Sequence, residues 1–120
     1  MTSKSTRTFP TKTKMANVET RDRVYKILTE AEWERFQKTG RFNGSSDDTR
    51  DGFIHLSTKE QVDGVIETYF SGKSPLYVAE FSSSSFLDCL RWEPSSSGKI
   101  YPHLYDFELH VSDLTGFTQI

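Results

Sequence analysis

Val24-Tyr25-Lys26-Ile27-Leu28 is the first apolar-rich run of the chain, and it predicts a strand. Thr29 and Glu32 then form a capping box, in which a hydroxyl and a carboxylate each meet an opposite backbone donor, so a helix is predicted there. Leu28 and Trp33 fall at the staple positions around that cap, Trp33 and Phe36 share one face, and Gly40 ends the helix. Residues 43–52, Asn-Gly-Ser-Ser-Asp-Asp-Thr-Arg-Asp-Gly, predict a polar loop. Phe53, Ile54 and Leu56 around His55 predict a short buried strand, and Ser57 with Glu60 supplies a second capping box. The helix behind it is the clearest element, because Val62, Val65, Ile66, Tyr69 and Phe70 repeat at helical spacing. Gly64 inside it costs about 1 kcal/mol relative to alanine, and Ser71-Gly72-Lys73-Ser74-Pro75 terminates it.

Leu76-Tyr77-Val78-Ala79-Glu80-Phe81 is nearly all apolar and predicts a central strand. Serines 82–85 predict a loop, 86–90 a short apolar piece, and Pro94 biases Glu93 toward extended geometry. A loop at 95–98 and the run Tyr101–Tyr105 follow. The last predicted strand is Phe107–Val111, with Phe107, Leu109 and Val111 inward and Glu108 and His110 outward. There is no internal repeat. This order predicts an α+β domain, a mostly antiparallel sheet with two helices toward the N-terminal half.

Composition narrows the class of protein. A length of 120 residues suits one domain, taken as 23–120, and 34% hydrophobic residues allow a core without staples. The single cysteine, Cys89, excludes an intramolecular disulfide and a cysteine-only metal site. No apolar run is long enough to span a membrane, and no secretory apolar region is expected at the start, so the expected location is cytoplasmic. Residues 1–18 hold Lys4, Arg7, Lys12 and Lys14 without an acid, which leaves −6 on the rest of a chain whose total is −2. That acidic body argues against an extensive nucleic-acid surface. Residues 1–22 read as a disordered extension, with a mitochondrial targeting role as the alternative to a cytoplasmic tail.

Three segments concentrate polar groups among apolar ones: His55, Arg91-Trp92-Glu93, and His103 with Tyr105. An imidazole at the end of a buried strand, beside the helix opened by Ser57, is placed to hold a polar ligand. Arg91 can clamp a phosphate or carboxylate, Trp92 and Tyr105 can stack on a planar ring, and Glu93 can bind ribose hydroxyls or act as a base. Glu93 and His103 are the expected catalytic pair, and His55, Ser57, Arg91, Trp92 and Tyr105 the expected ligand-binding set. The Asp-rich segment 43–52 lacks the glutamate of a calcium loop, and no metal site is expected.

The phrases Asp-Gly-Phe-Ile-His-Leu-Ser (51–57), Arg-Trp-Glu (91–93) and Pro-His-Leu-Tyr (102–105) resemble those of the DUF952 family, over roughly residues 23–112. The family name records an unknown function. The resemblance implies a fold similar to ADP-ribosyltransferases and RNA 2'-phosphotransferases, and hence NAD or a small nucleotide-like ligand. It also implies that His55 matches a strand histidine that holds a ribose, with Tyr105 and Glu93 the nearest counterparts of a nicotinamide-facing tyrosine and a late glutamate. Asp106 stands where the family pattern leads one to expect glycine. Two alternatives stay open: a non-catalytic small-ligand or protein-binding module, and a 2H-type cyclic phosphoesterase built on His55-Leu56-Ser57 and His110-Val111-Ser112.

Overall fold

A computed structural model describes residues 21–120; the expected N-terminal extension lies almost wholly outside them. Strand β1 (Arg23–Thr29) runs antiparallel to β4 (Leu76–Ser82), and β4 also pairs with β8 (Leu114–Gln119). β4 is thus the central strand of its sheet, as its apolar sequence predicts. A second three-stranded sheet, ordered β3-β6-β5, is built from Ile54–His55, Ile100–Leu104 and Leu90–Pro94. Tyr25 and Ser57 exchange backbone hydrogen bonds of 2.8 and 2.9 Å and so connect the two sheets. The architecture is α+β with antiparallel pairing throughout.

Alternation along β1 and β4 sorts their side chains to two sides. Val24 and Leu28, with Ala79 and Phe81, face the main core under helix α1 (Glu30–Thr39). Ile27, Leu76 and Val78 face the other way, against Val62 at the start of α3 (Val62–Tyr69). Phe36 and Phe81 are fully buried, and each contributes roughly 2–3 kcal/mol through the apolar area it removes from water. Trp33 stacks on Tyr77 with centroids 5.1 Å apart and planes 6° from parallel. The first capping box forms as predicted, Glu32 accepting from the Thr29 N–H at 3.0 Å, and Gly40 closes α1 at φ 83°.

Three local expectations are corrected. Residues 43–52 are not all loop: Ser46–Asp51 form a third helix, α2, with a capping box between Ser45 and Asp48 and a left-handed Gly52 at its end. The pattern is a proper cap, but no apolar stripe follows it to mark a helix. The cap before α3 sits one residue later than Ser57 and Glu60, since Gln61 accepts from the Thr58 N–H at 3.0 Å and a 3-10 turn, Lys59–Gln61, leads into α3. The predicted strand 107–111 shrinks to β7 (Leu109–His110), paired with β2 (Arg41–Phe42); Phe107 is exposed and Val111 begins a 3-10 turn. The chain then supplies β8, which the sequence pattern misses. Its Thr and Gly residues hide any alternation, and Phe117, on the Ala79 side and 4.7 Å from the Trp33 ring, is largely exposed. Among the described residues, no helix is long and apolar enough to cross a membrane.

Candidate functional site

Strand register assembles the site. His55 on β3 pairs with His103 on β6, and His103 pairs with Arg91 on β5. Directly opposed residues share a face of the sheet, so these three side chains form one row. Glu93, two residues from Arg91, lies on that face too, and its Oε1 accepts from His103 Nδ1 at 2.8 Å and from Tyr105 Oη at 2.7 Å. The Tyr105 and His103 bonds hold the Glu93 carboxyl below the usual carboxylate range, and in return the Glu93 bond raises the Tyr105 phenol. The Arg91 guanidinium carbon is 4.4 Å from the Tyr105 ring centroid. Phe53 lies against the row: its ring stacks on His103 at 4.0 Å and approaches His55 and Tyr105 at 4.6 and 5.2 Å. The two imidazoles meet edge-on with centroids 5.7 Å apart.

Beneath His55 lies a buried ion pair. Lys26 Nζ is 2.9 Å from Asp48 Oδ2, with side chains only 8% and 2% exposed. Lys26 reaches the core because it alternates with Val24 and Leu28. Asp48 Oδ1 meets His55 Nδ1 at 2.7 Å and the His55 N–H at 3.0 Å, and Lys26 donates to the His55 carbonyl at 3.1 Å. Burial by itself raises the Asp48 carboxyl, but the His55 bond, the Lys26 charge and the backbone N–H groups of Ser45 and His55 outweigh it and hold the group far below its ordinary range. The other ring nitrogen of His55, Nε2, faces Asp51 Oδ2 at 3.0 Å.

Five expected residues therefore come together: His55, Arg91, Glu93, His103 and Tyr105. Two do not. Trp92 pairs with buried Pro102, so it points to the opposite face, where it packs on the core and lies 4.3 Å beneath the Arg21 guanidinium. Ser57 is buried, and its backbone is spent on the Tyr25 bridge. Four residues at the site were missed: Lys26, Asp48, Asp51 and Phe53. The Ser45-x-x-Asp48 cap and the inward phase of Lys26 in β1 are the signals that could have found two of them. His110 sits apart with Glu108, Asp113 and Phe107. A cleft of about 260 Å³ opens beside Phe53, between Asn43, Gly52, Asp106 and Phe107. A larger one of about 400 Å³ lies between α3 and the β5–β6 hairpin, and its lining includes Tyr101 but none of the row. The smaller cleft reaches Asp48 and Phe53, but neither is lined by His55, Arg91, Glu93, His103 or Tyr105, so volume does not locate the site here.

A family model described as "Protein of unknown function (DUF952)" matches residues 27–116. No curated protein matches the chain. The crystal structure of protein CC0527 from Caulobacter crescentus is similar, with a TM-score of 0.75 and 39% identity over 81% of this chain and 84% of that one. The solution NMR structure of CC0527 gives a TM-score of 0.73 at 39% identity, covering 82% and 84%.

Proposed function

The chain belongs to the DUF952 family, whose function is unknown, and from that premise we propose that the face carrying Arg91, His103 and His55 binds NAD or a related nucleotide. The observation that carries this reading is the in-register row, flanked by the rings of Phe53 and Tyr105. Arg91 is exposed and takes phosphate, the rings take a planar base, and the imidazole of His55 takes ribose hydroxyls. Two small antiparallel sheets joined along one bridge are also compatible with the ADP-ribosyltransferase-like fold that the motifs suggest.

On this reading Glu93 is the group that assists transfer. The bond from the ribose anomeric carbon to nicotinamide breaks, its electron pair leaves with nicotinamide, and an acceptor oxygen, nitrogen or sulfur bonds to that carbon and releases its proton. The ionised Glu93, held by His103 and Tyr105, faces the positive charge that develops on the ribosyl ring. The 2H-type alternative needs both histidines to flank one phosphate, whereas His110 lies on β7, which pairs with β2, outside the sheet that carries His55.

Calorimetric titration with NAD and ADP-ribose tests the reading. Binding is expected, weakened about tenfold or more by Arg91→Ala or His55→Ala and unchanged by His110→Ala. No heat at millimolar ligand overturns it. Mass spectrometry after incubation with NAD separates transfer from binding alone: released nicotinamide marks the enzyme, and intact NAD marks the non-catalytic module.

A further inference from the structure

We infer that the cleft between α3 and the β5–β6 hairpin holds the nicotinamide ring of the bound dinucleotide, an assignment that rests on the nucleotide reading of the adjoining face. Strand register joins the two places. Tyr101 on β6 pairs with Glu93 on β5, one step along the hairpin from the His103–Arg91 pair. Directly opposed residues share a face, with Cβ atoms about 5 Å apart, so Tyr101 stands beside the carboxylate that meets the ribosyl ring. Tyr101 is also a wall of the cleft, whose volume of about 400 Å³ is usual for a small-molecule site. The motifs point to Tyr105 for this ring, but Tyr105 turns its hydroxyl to Glu93 and does not line the cleft, whereas Tyr101 does.

Gly64 lines the other wall, inside α3. Glycine weakens a helix, and nothing local requires it here. Its backbone is not left-handed, and a Cβ at this position would meet no atom within 4 Å. The missing side chain therefore serves no contact of the fold and leaves room in the cleft. The walls are pinned to each other, because Gln61 Nε2 donates to the Ile100 carbonyl at 2.6 Å while Gln61 Oε1 accepts from the Thr58 N–H at 3.0 Å. Tyr101 is half-buried and, among the described residues, makes no side-chain hydrogen bond, ring contact or cation contact, so its ring is uncommitted. Charge agrees with the assignment. Oxidised nicotinamide is a planar cation, which an aromatic face attracts. Glu60 and Glu67 line the cleft against Lys99 alone, two acids against one base, for a formal −1. When the bond to ribose breaks, its electron pair returns to the ring nitrogen and the ring becomes neutral. The attraction then lapses, and the wall that holds the substrate ring lets the product go.

The experiment is calorimetry of the full chain with NAD and with ADP-ribose, which lacks only the nicotinamide ring. Gly64→Leu, which fills the cleft, and Tyr101→Ala, which removes a wall, are each expected to weaken NAD about tenfold or more and to keep ADP-ribose within about threefold of wild type. Retained ADP-ribose binding shows that the variants are folded. Gly64→Ala is expected to raise the melting temperature, and a lower one would mean that the glycine serves the fold, against the inference. An unchanged ratio of NAD to ADP-ribose affinity in Gly64→Leu, or an equal loss of both ligands, overturns the inference while the nucleotide reading stands. Failure of wild type to bind either ligand removes both.

Discussion

Asp48 accepts from His55 twice on one oxygen, from ring Nδ1 at 2.7 Å and from the backbone N–H at 3.0 Å. Strand β3 is only two residues long, so side-chain chemistry rather than a long ladder fixes the His55 ring. Asp48→Ala is expected to cost about 3–5 kcal/mol, because it leaves Lys26 buried and unpaired. Urea unfolding measures it, and a loss under about 1 kcal/mol would contradict the buried pair. Adding Lys26→Met to Asp48→Ala should recover part of the loss by removing the stranded charge.

Acid sensitivity follows from the same carboxylate. The folded state holds the Asp48 group below its unfolded range. As pH falls, the unfolded chain takes up the proton first, so the contribution is complete above about pH 4–5 and is lost progressively below the ordinary carboxylate value of roughly 4. Asp48→Asn should therefore flatten the fall of stability below that value. Urea midpoints collected from pH 6 down to 3 give the slope, and identical slopes in the two proteins would refute the assignment.

Two tyrosines should titrate late. Burial, then the hydrogen bond to Glu80 at 3.0 Å, pushes Tyr25 up to about 12. Tyr105 is raised by its bond to Glu93. Carbon-13 labelling of the phenol carbons should show Tyr25 still protonated where ordinary tyrosines have ionised, at about pH 10–11. Glu93→Gln should lower Tyr105 and leave Tyr25 in place. A Tyr25 resonance moving at the ordinary value would exclude the Glu80 bond.

Arg91 and Trp92 are neighbours with opposite duties. Trp92→Ala should cost about 2–4 kcal/mol through lost packing, yet leave nucleotide affinity of the folded fraction nearly unchanged. Arg91→Ala, at an exposed position, should stay within about 0.5 kcal/mol in stability and lose affinity. Unfolding curves and calorimetry on both variants decide it, and weaker binding by a well-folded Trp92→Phe variant would place the ligand on the other face.

Much of this was legible in the chain. The apolar runs at β1 and β4, the Thr29 cap and the spacing through Phe70 each state their element locally, because burial and capping are written in neighbouring residues. The His55, Arg91, Glu93, His103 and Tyr105 set was found because imidazoles and charges stood among apolar residues. Trp92 was misplaced because adjacent motif letters were read together, although strand alternation sends neighbours to opposite sides. Asp48 and Lys26 were missed for a tertiary reason: each looks like surface polarity until its partner, 22 positions away, closes over it. β8 is an edge strand whose outward residues carry no alternating signal.

The turn joining β5 to β6 is clasped by Ser95 N–H to Lys99 carbonyl at 2.8 Å and Gly98 N–H to Ser95 carbonyl at 2.9 Å. Its residues other than Gly98, which sits at φ 89°, can be exchanged, but its count cannot. Removing one would slide the hairpin's pairing by a step and bring the indole of Trp92 to the side now held by the guanidinium. The face that carries Arg91 and His103 is thus set by counting across a bend outside it, and changes of length there should be far more damaging than changes of composition.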